Sequence, residues 1–185
     1  MSFAINPHHS WLPLEERAAA EENPRRKALV TAVRDHMEHE IKGRLEPLMD
    51  TLTAHPVYHF WGQAEPSVIE GRDAVRAFYS GMFATGGQQF EVVVDKVVVS
   101  DNHVITEGQV KQAYRGATLT ATGINDVGGA PVREDDLFVT TAQLVTLWPG
   151  DAENKLVGED IYFGSNAFAD IRRVTRDELP PYYKI

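Results

Sequence analysis

The chain has no cysteine among its 185 residues. Disulfides, thiolate nucleophiles, zinc–thiolate centres and iron–sulfur clusters are thereby excluded. Positive charge is scarce: 18 Lys and Arg stand against 27 Asp and Glu, a net charge of −9. That balance argues against a nucleic-acid partner, because phosphate binding needs clustered cations. The one dense basic group, Arg25, Arg26 and Lys27, follows an acidic stretch and reads as a solvated helix start. No run approaches the roughly 18 apolar residues of a membrane span. The N-terminus, MSFAINPHHSWLPLEER, lacks a basic segment followed by an apolar one, so no membrane and no secretory signal is expected, and the cytoplasm is the default. Internal repeats, a G-x-S-x-G elbow, a Walker loop and a dinucleotide fingerprint are also missing, and the loop from Gly123 to Pro131 has the wrong spacing to cradle a phosphate.

What is present suffices for one core, since 43% of the residues are hydrophobic. Residues 1–23, punctuated by Pro7, Pro13 and Pro24, read as an arm with a short helix in LEERAAAEE. Leu29, Val30, Val33, Met37 and Ile41 then recur with helical spacing. Gly43 interrupts, and Leu45, Leu48, Met49 and Leu52 continue in a second short helix. HPVYHFWG (55–62) predicts a strand with His55, Val57, His59 and Trp61 on one face and Tyr58 and Phe60 on the other. The mixed polarity of the first face suits a cavity wall. Residues 70–83 predict a helix presenting Val75, Phe78, Tyr79, Met82 and Phe83. The second half is mostly strand: a hairpin turning at Asp101-Asn102, then LFVTTAQLVTLW and KLVGEDIYFG around the turn PGDAEN. Residues 165–185 read as a C-terminal arm, leaving one domain over 24–164. Helices first and a largely antiparallel sheet afterwards predict an α+β fold. The expected form is a cone: a curved sheet wrapped round a long helix, with a small-molecule pocket between them.

That order, together with VIEGRDAVRAFY (68–79) and KLVGEDIYFG (155–164), resembles the nuclear transport factor 2-like superfamily, and within it the SnoaL-like proteins and ketosteroid isomerases. The superfamily contains isomerases, dehydratases, polyketide cyclases, epoxide hydrolases, cofactor-free lyases acting on lignin-derived aromatics, and proteins that only bind ligands or partners. The resemblance implies a cofactor-free lyase or isomerase using acid–base chemistry on a small apolar, aromatic or polycyclic substrate. Elimination or retro-aldol cleavage falls within that range. Assembly as a dimer or trimer is implied with it. A non-catalytic ligand carrier of the same fold is the alternative, and an interaction module using the open sheet face is a second.

The same resemblance supplies site residues. His59 falls where the isomerases keep a carboxylate base, and a histidine moves protons near neutral pH. His36, seven residues before Gly43, falls where they keep a tyrosine that stabilises the developing oxyanion. Tyr79 falls where a tyrosine buttresses that donor. The FG ending places Glu159, Ile161 and Phe163 inward and Asp160 and Tyr162 outward; a buried Glu159 would tune a histidine. Gly164 stands where the family often carries Asp. His36, His59 and Tyr79 are thus expected to converge on one pocket. Trp61, Tyr58, Phe78, Met82 and Phe163 would grip substrate, and Lys111 would stabilise charge if its strand face looks inward. In HMEHE, His36, His39 and Glu40 could share a helix face, but no third ligand is evident and a charged, exposed face explains the string better than a metal. No cofactor is expected.

Overall fold

The computed structural model describes residues 3–62 and 67–185. After a 3-10 turn at Pro7–His9, helix α1 spans Leu12–Ala20 and helix α2 spans Pro24–Ile41. Asn23 starts α2: its side chain accepts from the backbone N–H groups of Arg25 and Arg26, and Pro24 occupies the first helical position. The chain leaves α2 through Gly43 at φ 64°. Helix α3 (Leu45–Asp50), strand β1 (Leu52–Trp61), strand β2 (Ser67–Glu70) and helix α4 (Arg72–Thr85) follow. Strands β3 (Glu91–Val99) and β4 (His103–Arg115) form the expected hairpin. Helix α5 (Gly116–Ala121) and a miniature pair, β5 (Asp126–Val127) and β6 (Ala130–Pro131), interrupt the sheet before β7 (Leu137–Pro149), β8 (Leu156–Phe163) and β9 (Asp170–Val174).

The main sheet runs β2-β1-β8-β7-β4-β3. Its neighbours are antiparallel except for β1 and β8, which are parallel and set Tyr58 beside Glu159. One edge of β7 serves two strands. Its first half, Leu137–Thr141, pairs with β9, and its second half, Leu144–Leu147, pairs with β8. The fold is the expected α+β cone. The apolar face of α2 (Leu29, Val33, Met37, Ile41) lies in the concave side with Tyr58, Tyr79, Val104 and Trp148.

The segments expected to be arms are folded against this body. Helix α1 sends Leu14, fully buried, into the main core. The C-terminal segment supplies β9, and its Leu179 and Tyr183 pack with Ile5, Ala113 and Val139 in a second, smaller core. Alternation along β4 and β7 puts Ala113 and Val139 on the sheet face opposite the cavity-facing Gln112 and Thr140. No helix of the described residues is long and apolar enough to cross a membrane.

Candidate active site

Between α2, α4 and the concave sheet lies a cavity of about 320 Å³, near the lower end of the range for small-molecule pockets. Its walls are largely apolar: Phe60, Phe78, Met82, Val92, Leu144 and Phe163 among them. Polar groups gather at the end where α2, β1, α4 and β8 meet. There His36 is fully buried, with Tyr58 and Tyr79 beside it and Glu159 only 5% exposed.

Four polar atoms converge. His36 Nε2 lies 3.0 Å from the Tyr79 hydroxyl, 3.3 Å from the Tyr58 hydroxyl and 3.2 Å from Glu159 Oε1. The two hydroxyl oxygens are 3.0 Å apart, and Tyr79 donates to Glu159 Oε1 at 3.1 Å. On the other edge of the ring, Nδ1 lies 2.6 Å from Thr51 Oγ1, whose hydroxyl donates to the Leu48 carbonyl, also at 2.6 Å. With its hydrogen so placed, Thr51 accepts from His36 Nδ1–H. Nε2 and Glu159 Oε1 are within hydrogen-bond distance, so a hydrogen carried on Nε2 points at the carboxyl group. Burial first, and the Glu159 charge second, push both tyrosine hydroxyls well above their usual value, so they remain neutral donors.

Glu40 lies one helical turn after His36 and lines the same cavity. Its side chain makes no hydrogen bond among the described residues. Burial, then the nearby Glu159 charge, raises its pKa well above the ordinary carboxylate value. It therefore faces the cavity as a neutral carboxylic acid. Two carboxyl groups thus share one largely apolar chamber in different settings: Glu159 is hydrogen-bonded by Tyr79, and Glu40 has no such partner among the described residues.

The expected site residues divide by location. His36 and Tyr79 are in contact, and Tyr58, Phe78, Met82, Tyr79, Glu159 and Phe163 line the cavity. Along β8 the alternation is as expected, with Asp160 and Tyr162 outward. His59, Trp61 and Lys111 are elsewhere. Tyr58 and Phe60 are the residues of β1 that face the cavity, so alternation sends His59 and Trp61 to the convex side. There His59 Nδ1 meets Asp160 Oδ1 at 2.6 Å, and its ring stacks on Trp61, which in turn stacks on Tyr162. The expected meeting of His59 with His36 does not occur. Lys111 lies on the outward face of β4, 3.6 Å from Glu91 Oε2, because Val110 and Gln112 occupy the inward positions. The string HMEHE is not an exposed face: His36, Met37 and Glu40 are buried. Sequence reasoning weighs Glu40 only as a metal ligand and sets it aside as exposed, although it lies three residues after Met37 and four after His36 on the face the apolar stripe buries. Among the described residues, no group of three or more His, Asp or Glu side chains is placed to hold a metal ion.

The sequence profile of the SnoaL-like domain matches residues 33–128. No curated protein matches the chain. Among solved structures, the epoxide hydrolase/cyclase-like enzyme SalBIII, described in pyran ring formation in the polyether salinomycin, is similar with a TM-score of 0.53. It is 12% identical over 79% of this chain and 95% of that one. A putative SnoaL-like polyketide cyclase from Jannaschia sp. CCS1 gives 0.51 at 19% identity, over 78% and 90%. An NTF2-like protein from Anabaena variabilis ATCC 29413 gives 0.52 at 13%, over 80% and 96%. At such identities the likeness is one of fold.

Proposed function

This chain belongs to the SnoaL-like domain family, and on that footing we propose that it is a cofactor-independent lyase or isomerase that moves protons on a small, largely apolar ketone or related aromatic compound. One observation carries the reading: in a single apolar cavity, a neutral Glu40 with no hydrogen-bond partner among the described residues sits near a Glu159 that Tyr79 and His36 hold in place. Glu159, held by the Tyr79 hydroxyl and His36, takes a proton from a carbon beside a carbonyl and becomes the neutral acid, and Glu40 gives its proton to the oxygen on which charge develops and becomes the carboxylate. Phe60, Phe78 and Phe163 offer flat surfaces to an aromatic or polycyclic skeleton. Isomerisation, elimination and retro-aldol cleavage all pass through such a step.

The test is deuterium wash-in at the carbon beside the carbonyl of 2-tetralone and of tricyclic aryl ketones in D2O, followed by NMR. The expected result is exchange above the buffer rate, falling about 10²- to 10⁴-fold in Glu159→Gln and by a similar order in Glu40→Gln. Ketones that bind, seen by shifts in the Phe78 and Met82 signals, but exchange only at the buffer rate would make the protein a carrier instead.

The convex face supports self-association. His59, Trp61, Asp160, Tyr162 and Leu147 lie on rows of the sheet left uncovered by the second core, and Trp61 and Tyr162 are exposed. Trp61→Lys is expected to shift a dimer toward monomer in sedimentation velocity.

A further inference from the structure

His36 has two edges, and the proposed chemistry uses only one. Nε2 faces the cavity cluster, whereas Nδ1 faces Thr51. Thr51 is only half-buried and lines a second hollow, a cleft of about 370 Å³ bounded by Asp35, His39, Asp50, Glu153 and Lys155. That cleft opens to solvent and shares no lining residue with the cavity. A continuous chain of hydrogen-bond distances therefore runs from Glu159 Oε1 to Nε2 (3.2 Å), through the ring, and from Nδ1 to Thr51 Oγ1 (2.6 Å), ending at the cleft. Every other polar neighbour of the ring is an inward-facing hydroxyl or carboxylate.

We propose that Thr51 is a relay residue, forming with His36 a rear proton path that joins the closed cavity to water in the outer cleft. Outward, Nδ1–H passes its proton to Thr51 Oγ1 while the hydroxyl gives its own hydrogen to a water molecule. Imidazolium becomes neutral imidazole with its remaining hydrogen on Nε2, and water becomes hydronium. Inward, the steps reverse: hydronium protonates Oγ1, the hydroxyl hydrogen passes to Nδ1, and Nε2–H is delivered to Glu159. Between transfers the hydroxyl rotates from the Leu48 carbonyl toward the cleft, and no bond between heavy atoms changes. The path rests on the reading that the Glu159–His36 pair moves protons. It adds that these protons equilibrate with solvent while substrate blocks the front. The reaction class it suits is one with net proton release or uptake, or with label lost to solvent, rather than strict internal return of the same proton.

The rate at which the His36 Nδ1–H exchanges with solvent tests this in the resting protein, with ¹⁵N-histidine and saturation-transfer NMR. In Thr51→Val the exchange is expected to slow by at least about tenfold, and in Thr51→Ser to stay within about threefold of wild type. Ala32→Phe narrows the cleft from α2 while keeping the Thr51 hydroxyl in the chain and is expected to slow exchange likewise; it keeps the test open should Thr51→Val not fold. Tyr79→Phe, on the cavity side, is expected to change the rate little. Exchange unchanged in both Thr51→Val and Ala32→Phe, or slowed only by Tyr79→Phe, overturns the rear path. This readout needs no turnover, so failure of the ketone assay and failure of the relay are separate results.

Discussion

Glu40 is buried with no hydrogen-bond partner among the described residues, which makes the proposed proton donor a stability liability as well. In the unfolded chain it ionises near the ordinary value of 4.5, whereas in the fold it keeps its proton to higher pH. The unfolded state therefore binds fewer protons above pH 4.5, and the contribution of Glu40 to stability falls as pH rises until the native carboxyl also ionises. Glu40→Gln is accordingly expected to gain stability over wild type progressively as pH rises above 4.5 in urea titrations, while losing activity. Tyr79→Phe is expected to cost about 1–3 kcal/mol, because it removes a buried hydroxyl that lies 3.0–3.1 Å from His36 Nε2, the Tyr58 hydroxyl and Glu159 Oε1. His59→Ala, by contrast, is expected to change stability by no more than about 0.5 kcal/mol, because the ring and its Asp160 partner are each a third exposed; ketone exchange is expected to stay at the wild-type rate. The contrast shows what was legible at this scale. Alternation separated Tyr58 and Phe60 from His59 and Trp61, but not which pair looked inward. Mixed polarity is as natural on a convex, half-wet face, where an ion pair and stacked rings share the surface, as on a cavity wall.

Periodicity read the elements well wherever one face is dry. The stripe from Leu29 to Ile41 is the buried face of α2, and the helix in 70–83 appears as Arg72–Thr85. It could not reveal β9, whose five residues DIRRV alternate weakly and gain their place by pairing with the first half of β7. Nor could it reveal β5 and β6, two residues each. It also gave no hint that β1 and β8 run parallel, a pairing between segments far apart in the sequence. That pairing depends on Gly158. Its φ is 151°, and a Cβ there would lie 1.7 Å from the Val57 carbonyl oxygen, at the shift in register between β1 and β8. Gly158→Ala must push the strands apart next to Tyr58 and Glu159. Expected outcomes are a loss of at least about 2 kcal/mol in urea unfolding and slower ketone exchange from the molecules that still fold.

At the scale of the whole molecule, the terminal segments belong to the fold. Ile5, Trp11 and Leu14 are nearly or fully buried. At about 1.5–3 kcal/mol for each large apolar side chain, removing residues 1–20 is expected to lower the Tm by about 10 °C or more in calorimetry. The composition that marked these stretches as peripheral, rich in proline and charge, describes their exposed side and hides the few apolar anchors. The shared edge of β7 carries a further consequence. Where β8 gives way to β9 the chain detours through residues 164–169, pinned by Gly164 N–H to the Gln143 carbonyl and by the Gln143 N–H to Ser165 Oγ, and exposed Ala167 in that detour borders the chamber. Part of the chamber's rim is thus a seam in the sheet. Lengthening or trimming that seam would reshape the rim while Glu40, Tyr58, Tyr79 and His36 stay where they are, so descendants of this chain can change what the hollow admits without rebuilding its polar end.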